Sequence, residues 1–301
     1  MNFECSEKII NYWIHNNTYY SMKDQNKFAD YFFSWVENKK LLNSSNTKIF
    51  DIQETDVVIS KPINIILCVE NCNFWKHYLH YNKFGNYGDS KINIYLYNHI
   101  NKFVEAEQYI AIPVIYLQID YYLKFKNFIG INTSVPFTKR KFCIIISKPK
   151  GKFVKELTNI ENTVKSLFPC DHISKYFNII GNESCYHGEK LLRILNQYKF
   201  VLCYENSFTD GYITEKIFNV FFAKCIPIYG GPNDVSRYFN KKCFFNIRQL
   251  NSNKQGIQTI VNISKNEKLF QEIVNCEKIN KDFNNENYIV RSNNFIKKII
   301  S

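Results

Sequence analysis

The sequence predicts an α/β protein, and three observations carry that expectation. Between Tyr198 and Gly231 two apolar runs of strand length, Phe200 to Tyr204 and Ile226 to Tyr229, flank the clearest amphipathic helix in the chain, giving a strand, loop, helix, strand unit. Ile63 to Val69 and Phe142 to Ser147 are too continuously apolar to be half exposed, which fits strands of a parallel sheet buried on both faces. At 301 residues, with 45% hydrophobic and 17% aromatic content, the chain is long enough for two domains and a large core.

Taken in order, Asp24 to Lys40 reads as a helix with Phe28, Tyr31, Phe32 and Trp35 on one side, followed by the polar loop Asn43 to Thr47. Strands are expected at Asp56 to Ile59, Ile63 to Val69, Ile92 to Tyr97 and Ile110 to Leu117, an open α/β arrangement. Glu70 follows the most apolar of these. A carboxylate where a parallel strand opens into a loop stands at the crevice edge, the usual place of a catalytic group; a solvated glutamate capping a neighbouring N–H is the plainer alternative. After Pro136, Phe137 to Lys141 reads as a polar, basic connection between domains.

The strand Phe142 to Ser147 leads through Lys148, Pro149, Lys150, Gly151 and Lys152 into a helix ending at Phe168. A strand at Tyr176 to Ile180 and a helix at Glu189 to Tyr198 come next, and after the central unit two helices, Gly256 to Ser264 and Glu267 to Ile279. The tail Asn287 to Ile300 reads as a last helix packing back on the first domain. The expected organisation is a first α/β domain over 1–136, a second over 137–285 and a terminal helix over 286–301.

In the central unit Thr214 is the expected N-cap, Glu215 and Lys216 open the first turn, and Ile217, Phe218, Phe221, Phe222 and Cys225 form one apolar face. The ligand crevice of a βαβ unit lies beyond the carboxyl ends of its strands, where the loop Glu205 to Ile213 and the first helical turn belong. Backbone N–H groups at a helix start favour an anion and a lysine there adds a point charge, so the place suits a diphosphate. A buried helix in an ordinary α/β domain gives the same local pattern.

Composition narrows the classes further. No run of eighteen apolar residues occurs, and MNFECSEKII has acidic residues and no long apolar core of the kind a signal peptide carries, so the expectation is a cytoplasmic protein. Ten cysteines without a C-x-x-C pair are then expected to be free thiols, Cys203 and Cys225 as small core residues. The formal charge of +12 admits a nucleic-acid partner, but the basic residues are dispersed and no helix-turn-helix, zinc-finger or RNA-recognition motif accompanies them. An anionic sugar nucleotide, or at most peripheral attraction to an acidic membrane surface, accounts for the charge equally well.

The strings YENS, GYITEK, CIPIYGG and FNKKCFFN, in that order, resemble the donor-binding signature of the α1,3-fucosyltransferases of glycosyltransferase family 10. That signature runs approximately F-E-N, a short spacer, Y-x-T-E-K, I-P-I-Y-W-G and F-N-x-x-S-F. The match is strong over Tyr198 to Ile247 and loose over Phe142 to Leu195. The resemblance implies the GT-B architecture, two Rossmann-like domains facing a cleft. It also implies inverting transfer of L-fucose from GDP-β-L-fucose to a sugar hydroxyl, α1,3 to N-acetylglucosamine or glucose. VENCNFW resembles the family's Glu-Asn pair before an aromatic residue, which makes Glu70 the general base. By the same resemblance Lys216 neutralises the β-phosphate, Glu215 holds the ribose hydroxyls, and Asn206 and Tyr212 line the donor pocket.

Two departures from the signature stand out. Where the family has S-N-P followed by a diphosphate-binding arginine this chain has S-K-P, leaving Lys155 or Lys152 to replace the arginine; and Gly230 stands where the family has tryptophan. Glu205 is the second candidate base, ranked lower because a carboxylate on the donor side is poorly placed to deprotonate the acceptor. No D-x-D motif stands in the donor signature, so neither a metal nor any cofactor beyond the donor substrate is expected. The implied partners are GDP-fucose and an oligosaccharide or glycan acceptor, with no specific nucleic acid. Two alternatives remain: an inverting GT-B transferase using another nucleotide sugar, and a non-catalytic protein that binds nucleic acid or an acidic surface.

Overall fold

The computed structural model describes residues 4–5, 47–51, 63–68, 92–97, 104–106 and 109–113 as strand backbone, and 115, 118–119, 122–123, 126, 135–146, 154–176, 189–206, 208, 210–250, 254–281, 283 and 294 more fully. Glu70, Lys152, the helix expected at 24–40, the strand expected at 56–59 and, apart from Asn294, the expected tail helix lie outside the described residues. The chain divides into two compact units, Met1–Leu117 with Asn284–Ser301, and Gln118–Phe283.

The first unit contains β1 (Glu4–Cys5), β2 (Thr47–Asp51), β3 (Ile63–Cys68), β4 (Ile92–Tyr97), β5 (Val104–Ala106) and β6 (Tyr109–Pro113) in a sheet of order β1-β2-β3-β4-β6-β5. Every neighbouring pair is parallel except β5 with β6, which is antiparallel at the edge. The apolar β3 and β4 pair along their whole length, Ile63 opposite Ile92 through Cys68 opposite Tyr97. Strand β6 stops at Pro113 rather than running to Leu117, and Ile115 is already helical. Pro113 has no N–H to give to the ladder, which weakens the pairing at this end of the strand. Strand β2 begins at Thr47, where the expected polar loop ends, and goes unannounced in sequence because TKIFD is short and half polar.

The second unit runs β7 (Lys141–Ile145), α1 (Val154–Leu167), β8 (Cys170–His172), α2 (Glu189–Leu195), β9 (Tyr198–Tyr204), α3 (Glu215–Phe222) and β10 (Ile226–Gly230). After them come α4 (Val235–Tyr238), β11 (Phe245–Asn246), α5 (Ile247–Leu250), α6 (Lys254–Lys265) and α7 (Glu267–Asn275). All its strand pairs are parallel, in the order β11-β10-β9-β7-β8. From β7 the chain steps outward to β8, returns past β7 to β9, and continues outward the other way through β10 to β11. The reversal falls between β7 and β9, and in open α/β sheets the ligand crevice opens beyond the carboxyl ends of the strands at that point.

Both faces of the three central strands, β7, β9 and β10, are buried, which is why these read as continuous apolar runs. Cys143, Ile145, Phe200, Leu202, Tyr204, Ile226 and Ile228 pack with Val164 from α1 and Phe168 just past it, Ile247 and Leu250 from α5, Ile260 and Ile263 from α6, and Phe270 from α7. The alternate residues Ile144, Val201, Cys203 and Tyr229 are equally buried on the opposite face. Helix α3 is enclosed all round rather than amphipathic: Lys216 to Phe222 are all buried, Asn219 included. Its expected apolar face ends at Phe222. Cys225 lies past the helix, which closes with Lys224 in the left-handed region at φ 53°.

Other expectations shift in the same unit. A strand at Tyr176 to Ile180 is not found at its start, since Tyr176 ends a 3-10 turn, Ile173–Tyr176; the edge strand is Cys170–His172, too short and polar to stand out in sequence. Tyr198 opens β9 instead of closing α2, and Ile279, expected at the end of a helix, forms an isolated antiparallel bridge with Phe239. The segment read as a polar connection is partly core: Phe137 is buried, and so is Arg140 at 5% exposure. The Arg140 guanidinium donates to the carbonyls of Val135 (3.0 Å), Tyr198 (3.1 Å) and Lys224 (2.8 Å) and lies over the Phe270 ring, tying the start of β9 to the end of α3. Burial pulls its pKa below the usual value, against the opposing pull of the Cys225 thiol.

Candidate functional site

Strand β9 ends in Glu205, whose backbone N–H donates to the Gly230 carbonyl at 2.7 Å and so keeps the chain beside β10 for one residue more. The Glu205 side chain is fully enclosed, at 0% exposure. Its Oε1 accepts from the Thr214 backbone N–H and the Tyr229 hydroxyl, both at 2.9 Å; its Oε2 accepts from the Thr214 hydroxyl at 2.7 Å and from Lys216 Nζ at 3.3 Å. Four donors saturate the carboxylate, which is the condition for burying a charge this deeply. Thr214 precedes α3 as expected, but its side chain does not cap the helix; the hydroxyl is turned to Glu205 instead.

Lys216 is buried at 8% exposure and held from three sides: by Glu205, by the Thr214 hydroxyl at 3.0 Å and by Glu215 Oε1 at 3.6 Å. Burial alone would lower its pKa, yet Glu215 and then Glu205 outweigh it and hold the ammonium well above the usual lysine value. The lysine is therefore a fixed cation throughout the neutral range. Burial, reinforced by the neighbouring Glu205 charge, pushes the Tyr229 phenol well above its ordinary value, so that it remains a donor to the carboxylate.

The loop between β9 and α3 is anchored a second time. Gly211, with φ 78°, donates its N–H to Asp234 Oδ1 at 3.1 Å, and the Tyr238 hydroxyl donates to Asp234 Oδ2 at 3.4 Å. Only glycine takes that φ without strain. Burial raises the Asp234 pKa, which the Gly211 N–H partly counteracts. Glu205 thus fixes the end of the loop and Asp234 its middle, leaving Asn206 half-buried and Tyr212 buried between them.

The site residues named from the sequence therefore fall into three groups. Glu215 and Lys216 form one cluster at the start of α3, with Asn206 and Tyr212 on the loop that enters it. Lys155 stands apart, exposed in the first turn of α1, the helix that leaves β7 on the other side of the sheet's reversal. Glu70 lies outside the described residues. Sequence reasoning missed Tyr229 and Asp234, and weighed Glu205 only as a second base. The sole local cue to Asp234 was an acidic residue after Pro232 at the head of a short helix; the partners of Glu205 are joined by tertiary folding and leave no spacing signal. Among the described residues no cluster of three or more His, Cys, Asp or Glu is arranged to hold a metal ion.

Gly230 and Gly231 line the end of β10. A Cβ at 230 would stand 2.9 Å from Tyr204 Cβ, so the tryptophan of the family pattern has no space on this backbone. A Cβ at 231 would stand 2.3 Å from Cε1 and 2.5 Å from the hydroxyl oxygen of Tyr229, because that ring folds back over Gly231 to reach Glu205.

Comparison with known proteins gives the family and the fold. The model of glycosyltransferase family 10 (fucosyltransferase) C-term matches residues 138–292. The α-(1,3)-fucosyltransferase FucT of Helicobacter pylori is 38% identical over 81 residues, 27% of this chain and 17% of that protein. The 4-galactosyl-N-acetylglucosaminide 3-α-L-fucosyltransferase 9 of Rattus norvegicus is 27% identical over 136 residues, 42% of this chain and 35% of that one. The chain thus matches between 17% and 35% of the length of these relatives. A crystal structure of an α1,3-fucosyltransferase with GDP-fucose superposes with a TM-score of 0.56 at 16% identity, covering 93% of this chain and 87% of that chain. At that identity the likeness is one of fold, and the fold is GT-B.

Proposed function

The chain belongs to glycosyltransferase family 10, the fucosyltransferases, and on that premise we propose that it transfers L-fucose from GDP-β-L-fucose to a hydroxyl of a sugar acceptor. The linkage in this reading is α1,3 to N-acetylglucosamine or glucose, with inversion at the anomeric carbon. The observation that carries it is the buried Lys216, kept cationic by Glu215 and Glu205 in the loop beyond β9, at the sheet's reversal.

The acceptor hydroxyl attacks the anomeric carbon from the face opposite the diphosphate, the C1–O bond to the β-phosphate breaks, and GDP leaves with the bonding pair. A nucleoside diphosphate departs as an anion, so a preformed cation that gains interaction energy as charge develops replaces a general acid. Lys216 supplies that cation, and its bonds to Glu205 and Thr214 fix the position of Nζ before the donor arrives. Glu215 is the less buried of the two carboxylates, which fits a side chain that accepts from the ribose hydroxyls. Asn206 and Tyr212 complete the donor side, and Lys155 adds a second cation from α1. Glu70 takes the acceptor proton in this scheme, and transfer needs no metal.

The test combines a nucleotide panel with turnover. GDP should raise the thermal midpoint above every other nucleoside diphosphate, and an acceptor array with GDP-fucose should give a product whose linkage NMR assigns as α1,3. Activity should survive EDTA. Preferential stabilisation by UDP or ADP would instead point to a transferase with another donor. For the base, Glu70→Gln should lower turnover by roughly 10²–10⁴-fold at unchanged GDP affinity; near-normal turnover would move the role to another carboxylate.

A further inference from the structure

Away from the donor loop, two cysteines distant in sequence meet where the chain crosses itself. Cys243 closes the 3-10 turn Lys241–Cys243, and Cys276 directly follows α7. The two thiols lie close enough to shift one another's ionisation, and both are tied to Lys278, while the Cys243 thiol also donates to the Asn240 carbonyl at 2.9 Å. The Cys243 thiol reaches the Lys278 carbonyl at 3.7 Å, and Lys278 Nζ stands 3.8 Å from the Cys276 sulfur. That ammonium also donates to the carbonyls of Ile273, Val274 and Cys276, which fixes it at the end of α7.

The pair is asymmetric. Cys243 is buried at 1% exposure, whereas Cys276 is half-buried and lines a cavity of ≈ 460 Å³. Lys241 and Lys242 also line the cavity, against a single acidic residue, Glu272. The neighbouring Cys243 thiol lowers the Cys276 pKa to about 6, with burial opposing, Lys278 assisting and Glu277 opposing more weakly. The same contact, together with burial, raises that of Cys243.

We propose that Cys276 is a nucleophilic modification site that accepts an acidic low-molecular-weight disulfide from this cavity, with Cys243 as the thiol that resolves the adduct. The Cys276 thiolate attacks one sulfur of the small disulfide, the small S–S bond breaks, and a small thiolate leaves and takes a proton from water. Cys243 then attacks the Cys276 sulfur of the mixed disulfide, the Cys276–small-thiol S–S bond breaks, and the departing thiolate takes the Cys243 proton and leaves as the second small thiol. Two protein thiols are oxidised to one disulfide and one small disulfide is reduced to two thiols. Lys241 and Lys242 recognise the carboxylates of the incoming molecule, and Lys278 steadies the attacking thiolate.

Glutathione disulfide is the probe, applied to the reduced full chain at low salt, with peptide mapping by mass spectrometry after free thiols are blocked. The wild type should yield a Cys243–Cys276 cross-linked peptide. C243S, which restores the serine of the family pattern at that position, should instead retain one glutathionyl group on Cys276. Alkylation of Cys276 in the wild type should follow a pH profile with its inflection near 6, the lowered value, rather than about 8.5 as for an ordinary thiol. Cystamine, a cationic disulfide, should react more slowly than glutathione disulfide. Cys170, paired with the buried Cys143 across β7 and β8, is the internal control. The proposal is overturned if Cys170 is glutathionylated while Cys276 is not, if the alkylation profile inflects only near the ordinary value, or if cystamine reacts faster. Wild-type labelling decides the matter even where C243S folds poorly.

Discussion

Two cations are buried at opposite ends of the same sheet, and they are satisfied by different chemistry. Arg140, at the amino end of β9, is surrounded by three main-chain carbonyls and an aromatic ring, and its pKa is lowered. Lys216, beyond the carboxyl end of β9, is held by two carboxylates and a hydroxyl, and its pKa is raised. Carbonyl dipoles use the planar guanidinium as a multi-pronged staple and leave nothing for a ligand. Carboxylates keep a lysine charged inside the protein, where an anionic ligand gains most from it. Burial of a cation alone therefore assigns no role; in the proposed scheme Lys216 is the cation that meets the donor and Arg140 the one that holds the fold.

The largest expected effect tests the carboxylate half of this contrast. Glu205→Ala leaves Lys216 buried with Glu215 alone, and thermal or denaturant unfolding should register a loss of about 3–5 kcal/mol. A loss below about 1 kcal/mol would mean that Glu205 is not what stabilises the buried ammonium. Next comes Arg140→Met, which keeps apolar bulk but removes the guanidinium donor from three carbonyls, leaving that of Tyr198 only the Cys225 thiol at 3.3 Å; stability should fall by about 2–3 kcal/mol with GDP affinity unchanged. Any loss of GDP affinity there would erase the division between the two ends. Lys216→Ala should weaken GDP binding in calorimetry by about 1.5–3 kcal/mol, and an unaltered affinity would take Lys216 out of the donor contact.

The smallest effect belongs to the amino end. The Tyr198 hydroxyl donates to Asp171 at 2.6 Å and, with burial opposing, holds its carboxyl below the ordinary range, helped by Lys141 and Lys175. A depressed carboxyl stabilises the fold above its unfolded pKa, and that contribution is lost as pH falls through the lower folded value. Asp171→Asn should flatten the stability loss below about pH 4 by less than ~1 kcal/mol, since the group is only partly buried. An unchanged acid limb would remove Asp171 from the electrostatics of this end.

How much of this was legible in the sequence follows from the range of the interactions. Strands β7, β9 and β10 announce themselves because burial on both faces imposes a continuous apolar run, β3 by its continuously apolar sequence, and α3 because it lies between β9 and β10. Strands β1 and β8 are only two and three residues long and partly polar, below what any periodicity can register. The positions of Glu215 and Lys216 at the head of α3 could be read locally. The second role of Glu205 could not, because Tyr229 meets it only once β10 lies beside β9. Arg140 misled for the same reason: in sequence it belongs to a basic segment, and only folding brings the carbonyls of Tyr198 and Lys224 around it.

Seen from the genome, Gly230 and Gly231 are two different kinds of constraint. Every single-base escape from a glycine codon adds a Cβ, and at both positions that atom collides with a neighbour. At 231 the obstacle is the outer edge of the Tyr229 ring, a side chain that a second substitution could shorten, so the position can drift once its neighbour has changed. At 230 the obstacle is the Cβ of Tyr204, which every residue but glycine would also carry; truncation of that side chain gives no relief, and a lineage leaves glycine there only by moving one strand against the other.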